Sequence, residues 1–146
     1  MPTIKKTQTD RVIVARLFPG DDILESLEQI AADYDIQAGI LNLIGAIEGA
    51  HLGYFNVKKK EYMDFEVDED LEVVSCMGNI SRNEENAPIV HAHMVVADES
   101  GRCYGGHLMK GCTVSVTIEI FINVLVGTLT RTEDESTGLH LLNLEH

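Results

Sequence analysis

The order of apolar and polar positions along this chain predicts one helix among many strands. Arg11 to Leu17 (RVIVARL) alternates weakly and is rich in β-branched residues, the pattern of a strand. Pro19-Gly20-Asp21-Asp22 breaks it, and either aspartate can cap a helix and favour its positive end. Ile23, Leu24, Leu27, Ile30 and Ala31 then recur at helical spacing. They predict a helix at about 22–34 with a core-facing apolar stripe, and Gly39 marks its exit.

Strand patterns fill the rest of the chain. Ile40 to Ala46 is apolar on both faces, and Glu48 to Asn56 continues as a strand broken by Gly49 and Gly53. Tyr62–Val67, Leu71–Ile80, Ile89–Ala97, Cys103–Met109 and Thr113–Val126 follow, then Gly127–Thr132 and Leu139–Leu142. One long helix with roughly eight strands argues an α+β fold with a large, mainly antiparallel sheet. No repeat, linker or low-complexity segment divides the chain, so positions 1–143 read as one domain. Leu144-Glu145-His146 resembles the start of an expression tag and is set aside.

Charge narrows the function classes. The formal net charge is -13, and leaving out Glu145 makes it -12. Such a body repels phosphate backbones, whereas nonspecific DNA affinity comes from Lys and Arg displacing counterions. The one dense basic run, Lys58-Lys59-Lys60, reads as a solvated hairpin tip. Glu133-Asp134-Glu135-Ser136 reads as a solvated acidic loop. Three cysteines, Cys76, Cys103 and Cys112, form no CxxC pair and read as buried free thiols. No apolar run approaches the ~20 residues of a membrane helix. The lysines near the N-terminus precede no apolar stretch of a signal peptide, so a cytoplasmic protein is expected.

The candidate chemistry lies in three histidines. His91 and His93 are two apart on one strand, so both rings point to the same face. Asp98-Glu99-Ser100-Gly101-Arg102 is a turn signal. A three-residue loop closed by a left-handed glycine pairs Asp98 with Arg102 and puts His107 directly opposite His93. A two-residue Ser100-Gly101 loop would send His107 to the other face, and a bulge at Gly105-Gly106, the expected role of that pair, would also shift the register. In the three-residue register, His91, His93 and His107 converge on one ion. Three imidazoles suit zinc or another divalent transition metal and leave an open position, as in catalytic zinc sites. Glu119, in an otherwise apolar strand, is a conceivable fourth or supporting ligand. His51 and His140 read as structural. Phosphate-binding glycine loops and a GxSxG nucleophile elbow are absent from the sequence, and no Ser or Cys nucleophile stands out.

Several of these segments, in order, resemble the PPC domain (plants and prokaryotes conserved) over roughly residues 10–130. They are Pro19-Gly20-Asp21-Asp22, Ala38-Gly39-Ile40, Ile44-Gly45-Ala46 and Leu52-Gly53-Tyr54-Phe55. The most specific are His91-Ala92-His93, Gly105-Gly106-His107-Leu108 and Gly111-Cys112. The resemblance implies an α+β fold with one major helix against an antiparallel sheet, a homotrimer, and a metal site, usually zinc, at the matching histidines. It also carries a DNA-binding label. In plant members that contact is attributed to a separate AT-hook, and no Arg-Gly-Arg-Pro hook occurs here. The stretch corresponding to their partner-binding Gly-Arg-Phe-Glu-Ile-Leu is Glu69-Asp70-Leu71-Glu72-Val73-Val74, without the arginine or phenylalanine. The first reading is therefore a metal-binding homotrimeric PPC-domain protein. A DNA-associated regulator comes second, and a metal-dependent enzyme on a small molecule third.

Overall fold

A computed structural model describes residues 1–145; His146, at the end of the expected tag remnant, lies outside the described residues. The elements run β1 (Thr9–Leu17), α1 (Ile23–Asp33), β2 (Gly39–Asn56), β3 (Glu61–Val67), β4 (Leu71–Arg82), β5 (Pro88–Ala97), β6 (Cys103–Leu108), β7 (Thr113–Leu125), β8 (Thr130–Glu133) and β9 (His140–Asn143). The fold is mainly antiparallel sheet with one helix, as the pattern predicts; among the described residues only β4 and β8 pair in parallel.

Helix α1 starts where the aspartates allow. Asp22 is its N-cap, with one carboxylate oxygen accepting from the Glu25 amide at 3.0 Å. Its other oxygen accepts from the Gly111 amide at 2.7 Å, so the same side chain also holds the loop before β7. Ile23, Leu27 and Ala31 are buried on the core face. The helix ends earlier than the glycine signal suggests. Asp35 takes the positive φ of 47° that turns the chain, and Gly39 already begins β2. Arg82 from β4 closes this end by donating to the Ala31 and Ile36 carbonyls at 3.1 Å each.

Strand β2 organises the sheet. It runs unbroken through Gly49 and Gly53, where an interruption was expected. Its first half pairs with β7 on one side and β4 on the other; its second half pairs with β3 and β6. The change of partners needs a bend, and both ladders shift register near Gly45. Gly45 has φ 153°, and a side chain there would overlap the Thr117 carbonyl and the Ile118 backbone. The bend closes the circuit β2-β4-β5-β6-β2.

Alternation then sorts the side chains. Leu41 and Leu43 of β2, Cys76 and Ile80 of β4, Ala92, Met94 and Val96 of β5, and Ile118, Ile120 and Ile122 of β7 are buried with the helix. The opposite, outward face carries the intervening residues. One row of paired positions crosses it: Val14, Phe121, Asn42, Met77, His93 and His107. Cys76 and Cys112 are buried, but Cys103 is exposed, against expectation, because it sits at the β6 start beside the hairpin tip. Lys58-Lys59-Lys60 lies in the exposed β2–β3 turn, as expected.

Candidate metal centre

The β5–β6 hairpin takes the three-residue loop. The Asp98 amide donates to the Arg102 carbonyl at 2.9 Å, and Gly101 has φ 83°. An Asp98 carboxylate oxygen fixes the turn by accepting from the Ser100 amide, the Ser100 hydroxyl and the Arg102 amide. His93 consequently pairs with His107. The pairing runs on evenly through Met94–Gly106 and Val95–Gly105, so the expected glycine bulge is absent. Gly106 has a different role. A β-carbon there would stand 2.6 Å from the Gly53 carbonyl, so the missing side chain lets β6 lie close against β2.

His91, His93 and His107 offer ring nitrogens that all lie within 4.8 Å of one another. The ring centroids are 5.0 Å apart for His91–His93, 5.3 Å for His91–His107 and 5.7 Å for His93–His107. His93 is exposed, and the other two are half-buried. Burial pushes the His91 imidazole down to about 4, helped by the nearby charge of Arg131 and by His107 and His93. His107 is lowered by burial, then by His93 and Arg131. Both rings are therefore neutral at neutral pH, the state in which imidazole binds a metal. This donor set fits a borderline transition metal.

Glu119 does not join them. It shares the outward face but sits on β7 between Arg16 of β1 and Ile44 of β2, three strands from His93. At about 4.8 Å per strand that is roughly 14 Å. His51 is fixed elsewhere. One ring nitrogen bonds the Asp64 carboxylate at 2.5 Å and the other the Lys110 carbonyl at 2.6 Å. The Asp64 bond, the Lys110 carbonyl and the charges of Asp64 and Glu66 raise its pKa against the opposing effect of burial. His140 contributes its carbonyl to the neighbourhood of the cluster, as an acceptor for Arg131.

Three residues near the cluster escape a sequence reading. The Tyr62 ring from β3 leans on His107, with centroids 4.9 Å apart. Asn79 of β4 is paired with His91. Arg131 of β8 is buried, with 5% exposure, and donates to Ser81 Oγ, the His140 carbonyl and Asn79 Oδ1 at 2.8–2.9 Å. Its Nη2 also stands 3.4 Å from Nδ1 of His91. Nothing in the spacing of Thr130-Arg131-Thr132 marks that arginine, because fold closure alone brings β8 beside β4.

A single helix under a curled antiparallel sheet, with three histidines clustered on the outward face, defines a small α+β class of protein. The chain belongs to the Plants and Prokaryotes Conserved (PCC) domain family, whose profile matches residues 4–140. Solved relatives share the fold over nearly its whole length. The metal-containing protein of Archaeoglobus fulgidus is 32% identical with a TM-score of 0.89, covering 97% of this chain and 99% of that one. A plant- and prokaryote-conserved (PPC) protein of Pyrococcus horikoshii is 29% identical with a TM-score of 0.88, covering 97% of each. A Ralstonia eutropha JMP134 protein whose name provisionally calls it DNA-binding is 30% identical with a TM-score of 0.82, covering 90% of each. Among curated proteins, the bifunctional protein GlmU of Synechococcus sp. (strain JA-3-3Ab) is 34% identical over 137 residues. That match takes in 92% of this chain but only 21% of the relative's length.

Proposed function

We propose that this is a metal-binding PCC-domain protein in which His91, His93 and His107 hold one divalent transition metal, zinc before the others. The observation that carries the reading is the convergence of one ring nitrogen from each of the three histidines within 4.8 Å. The lowered pKa of His91 and His107 supports it, because protons compete weakly for those nitrogens. A relative described as metal-containing supports it too. When bound, zinc with three protein ligands keeps a position for water or a small molecule, and acts there as a Lewis acid. That open position permits the third reading, a metal-dependent enzyme on a small molecule, since a purely structural metal is normally enclosed by four protein ligands. Elemental analysis of tag-free protein is the test. About one metal per chain is expected; none after growth in metal-replete medium overturns the reading.

The active assembly in this reading is a homotrimer in the cytoplasm. The support is the outward sheet face, where Val14 is 64%, Met77 60% and Ile44 55% exposed in the single chain. Apolar surface of that kind is normally covered by another protein surface. No helix among the described residues is long and apolar enough to cross a membrane.

A DNA-associated role is the second reading. It is favoured by the name of the Ralstonia protein. The net charge of -13 opposes it.

A further inference from the structure

Resting on the metal reading above, we propose that the metal and Arg131 together form a receptor for a small carboxylate with a short aliphatic chain. The pocket in question lies between Tyr62, His91, His107 and Arg131.

Arg131 is a buried cation without a counter-ion. None of its four partners, Ser81, Asn79, His91 and the His140 carbonyl, is an anion. Among the described residues no carboxylate pairs with it. Buried charges are ordinarily compensated by an opposite charge, since neutral hydrogen bonds recover only part of the lost hydration. The chain carries a large acidic excess, yet none of it is placed here.

Metal loading sharpens the imbalance. A neutral imidazole has one nitrogen lone pair. In the metal-free arrangement, Nδ1 of His91 can offer that pair to the Arg131 N–H that faces it at 3.4 Å. A metal bound through Nδ1 occupies the acceptor. A metal bound through Nε2 forces the proton onto Nδ1, so that an N–H confronts an N–H. Either way Arg131 loses an acceptor as a second positive centre arrives beside it. A ligand with two coplanar oxygens would satisfy both, one toward the metal that His91, His93 and His107 would hold and one toward the guanidinium.

The rest of the pocket selects among oxyanions. It encloses about 410 Å³, and beyond the polar end its wall includes Ile89, Val90, Leu139 and Leu141. A hydrocarbon chain gains by contact with such a wall, while phosphate or sulfate would lose hydration for nothing there. A short-chain carboxylate therefore fits both ends.

The experiment uses tag-free protein loaded with Co(II), whose visible bands report changes at the open coordination position. Butyrate, its neutral isostere butyramide and inorganic phosphate are titrated separately. Saturable spectral change is expected with butyrate and not with butyramide, with phosphate weaker than butyrate. Arg131→Met should keep about one cobalt per chain but bind butyrate at least about tenfold more weakly, the usual size of one lost charge-assisted bond. Arg131→Lys should fall between the two. Equal response to butyrate and butyramide, tighter binding of phosphate, or an unchanged affinity in Arg131→Met each overturn the receptor. A protein with one cobalt per chain and no response to butyrate overturns the receptor but leaves the metal site standing. Failure to take up cobalt at all removes both. If circular dichroism shows Arg131→Met unfolded, the comparison of butyrate with butyramide in the unaltered protein decides alone.

Discussion

His93 and His107 are directly paired across the β5–β6 ladder, fourteen positions apart in sequence yet neighbours on one face of the sheet. The pairing depends on the Asp98–Arg102 loop being three residues long, because a loop one residue shorter would turn His107 to the opposite face. His91 joins them from the next outward position of the same strand.

His93→Ala and His107→Ala should each abolish metal binding. His140→Ala should leave it intact, since only the His140 carbonyl takes part in the nearby network. Metal content measured on variants that remain folded by circular dichroism checks this. Loss of metal in His140→Ala, or full retention in His107→Ala, would contradict the assigned ligand set.

The histidines should give opposite pH dependences to the metal-free protein. His91 and His107 have lowered pKa values, so the folded state binds fewer protons than the unfolded one. The stability they contribute is complete above about 6.5 and lost as pH falls toward 4, the value for His91. With His91 half-exposed, screening leaves roughly 1–2 kcal/mol. His51 is raised, so its contribution is complete below 6.5 and lost as pH rises through its folded value. Urea melts at pH 7.5, 5.5 and 4 should show His91→Gln flattening the acid limb. NMR titration should find His51 above 6.5, and Asp64→Asn should bring it down.

The protein should behave as a trimer of about three times 16.1 kDa in light scattering. Phe121, between Val14 and Asn42 in the outward row, is 49% exposed in the isolated chain. Phe121→Lys should shift the population to smaller species. An unaltered protein that runs as a monomer at micromolar concentration would refute the trimer.

Generic duplex DNA should bind weakly or not at all at physiological salt. The -13 charge opposes approach, and Lys58-Lys59-Lys60 is a short exposed turn. Ordinary nonspecific binders show dissociation constants of about 10⁻⁴ to 10⁻⁶ M, so a value below ~1 μM at ~0.15 M salt contradicts this expectation.

Gly78→Ala should destabilise the fold by about 1–3 kcal/mol or more, as overpacking against backbone does. Gly78 pairs with Ala92, the residue between His91 and His93, and an added β-carbon would run into the His91 carbonyl and the Ala92 backbone. Chemical denaturation measures the loss. Metal affinity should fall with it, because the strand that spaces the two histidines is forced outward.

The sequence by itself determined the helix and the strand-rich remainder, and it pointed to the histidine cluster without fixing the hairpin register that assembles it. Those features are written in short-range periods: the 3.6-residue stripe of Ile23, Leu27 and Ala31, the two-residue alternation of His91 and His93, and a turn whose glycine must be left-handed. What lies beyond that range was decided by tertiary structure. The bend at Gly45 makes one eighteen-residue strand serve two sets of neighbours, and no local pattern reports a change of partner. The same closure leaves Glu119 three strands from the histidines and brings Arg131 and Tyr62 beside them. Periodicity tells a residue which face it occupies. Which other residues share its neighbourhood depends on strand order, and strand order is set by the burial of the whole apolar face at once.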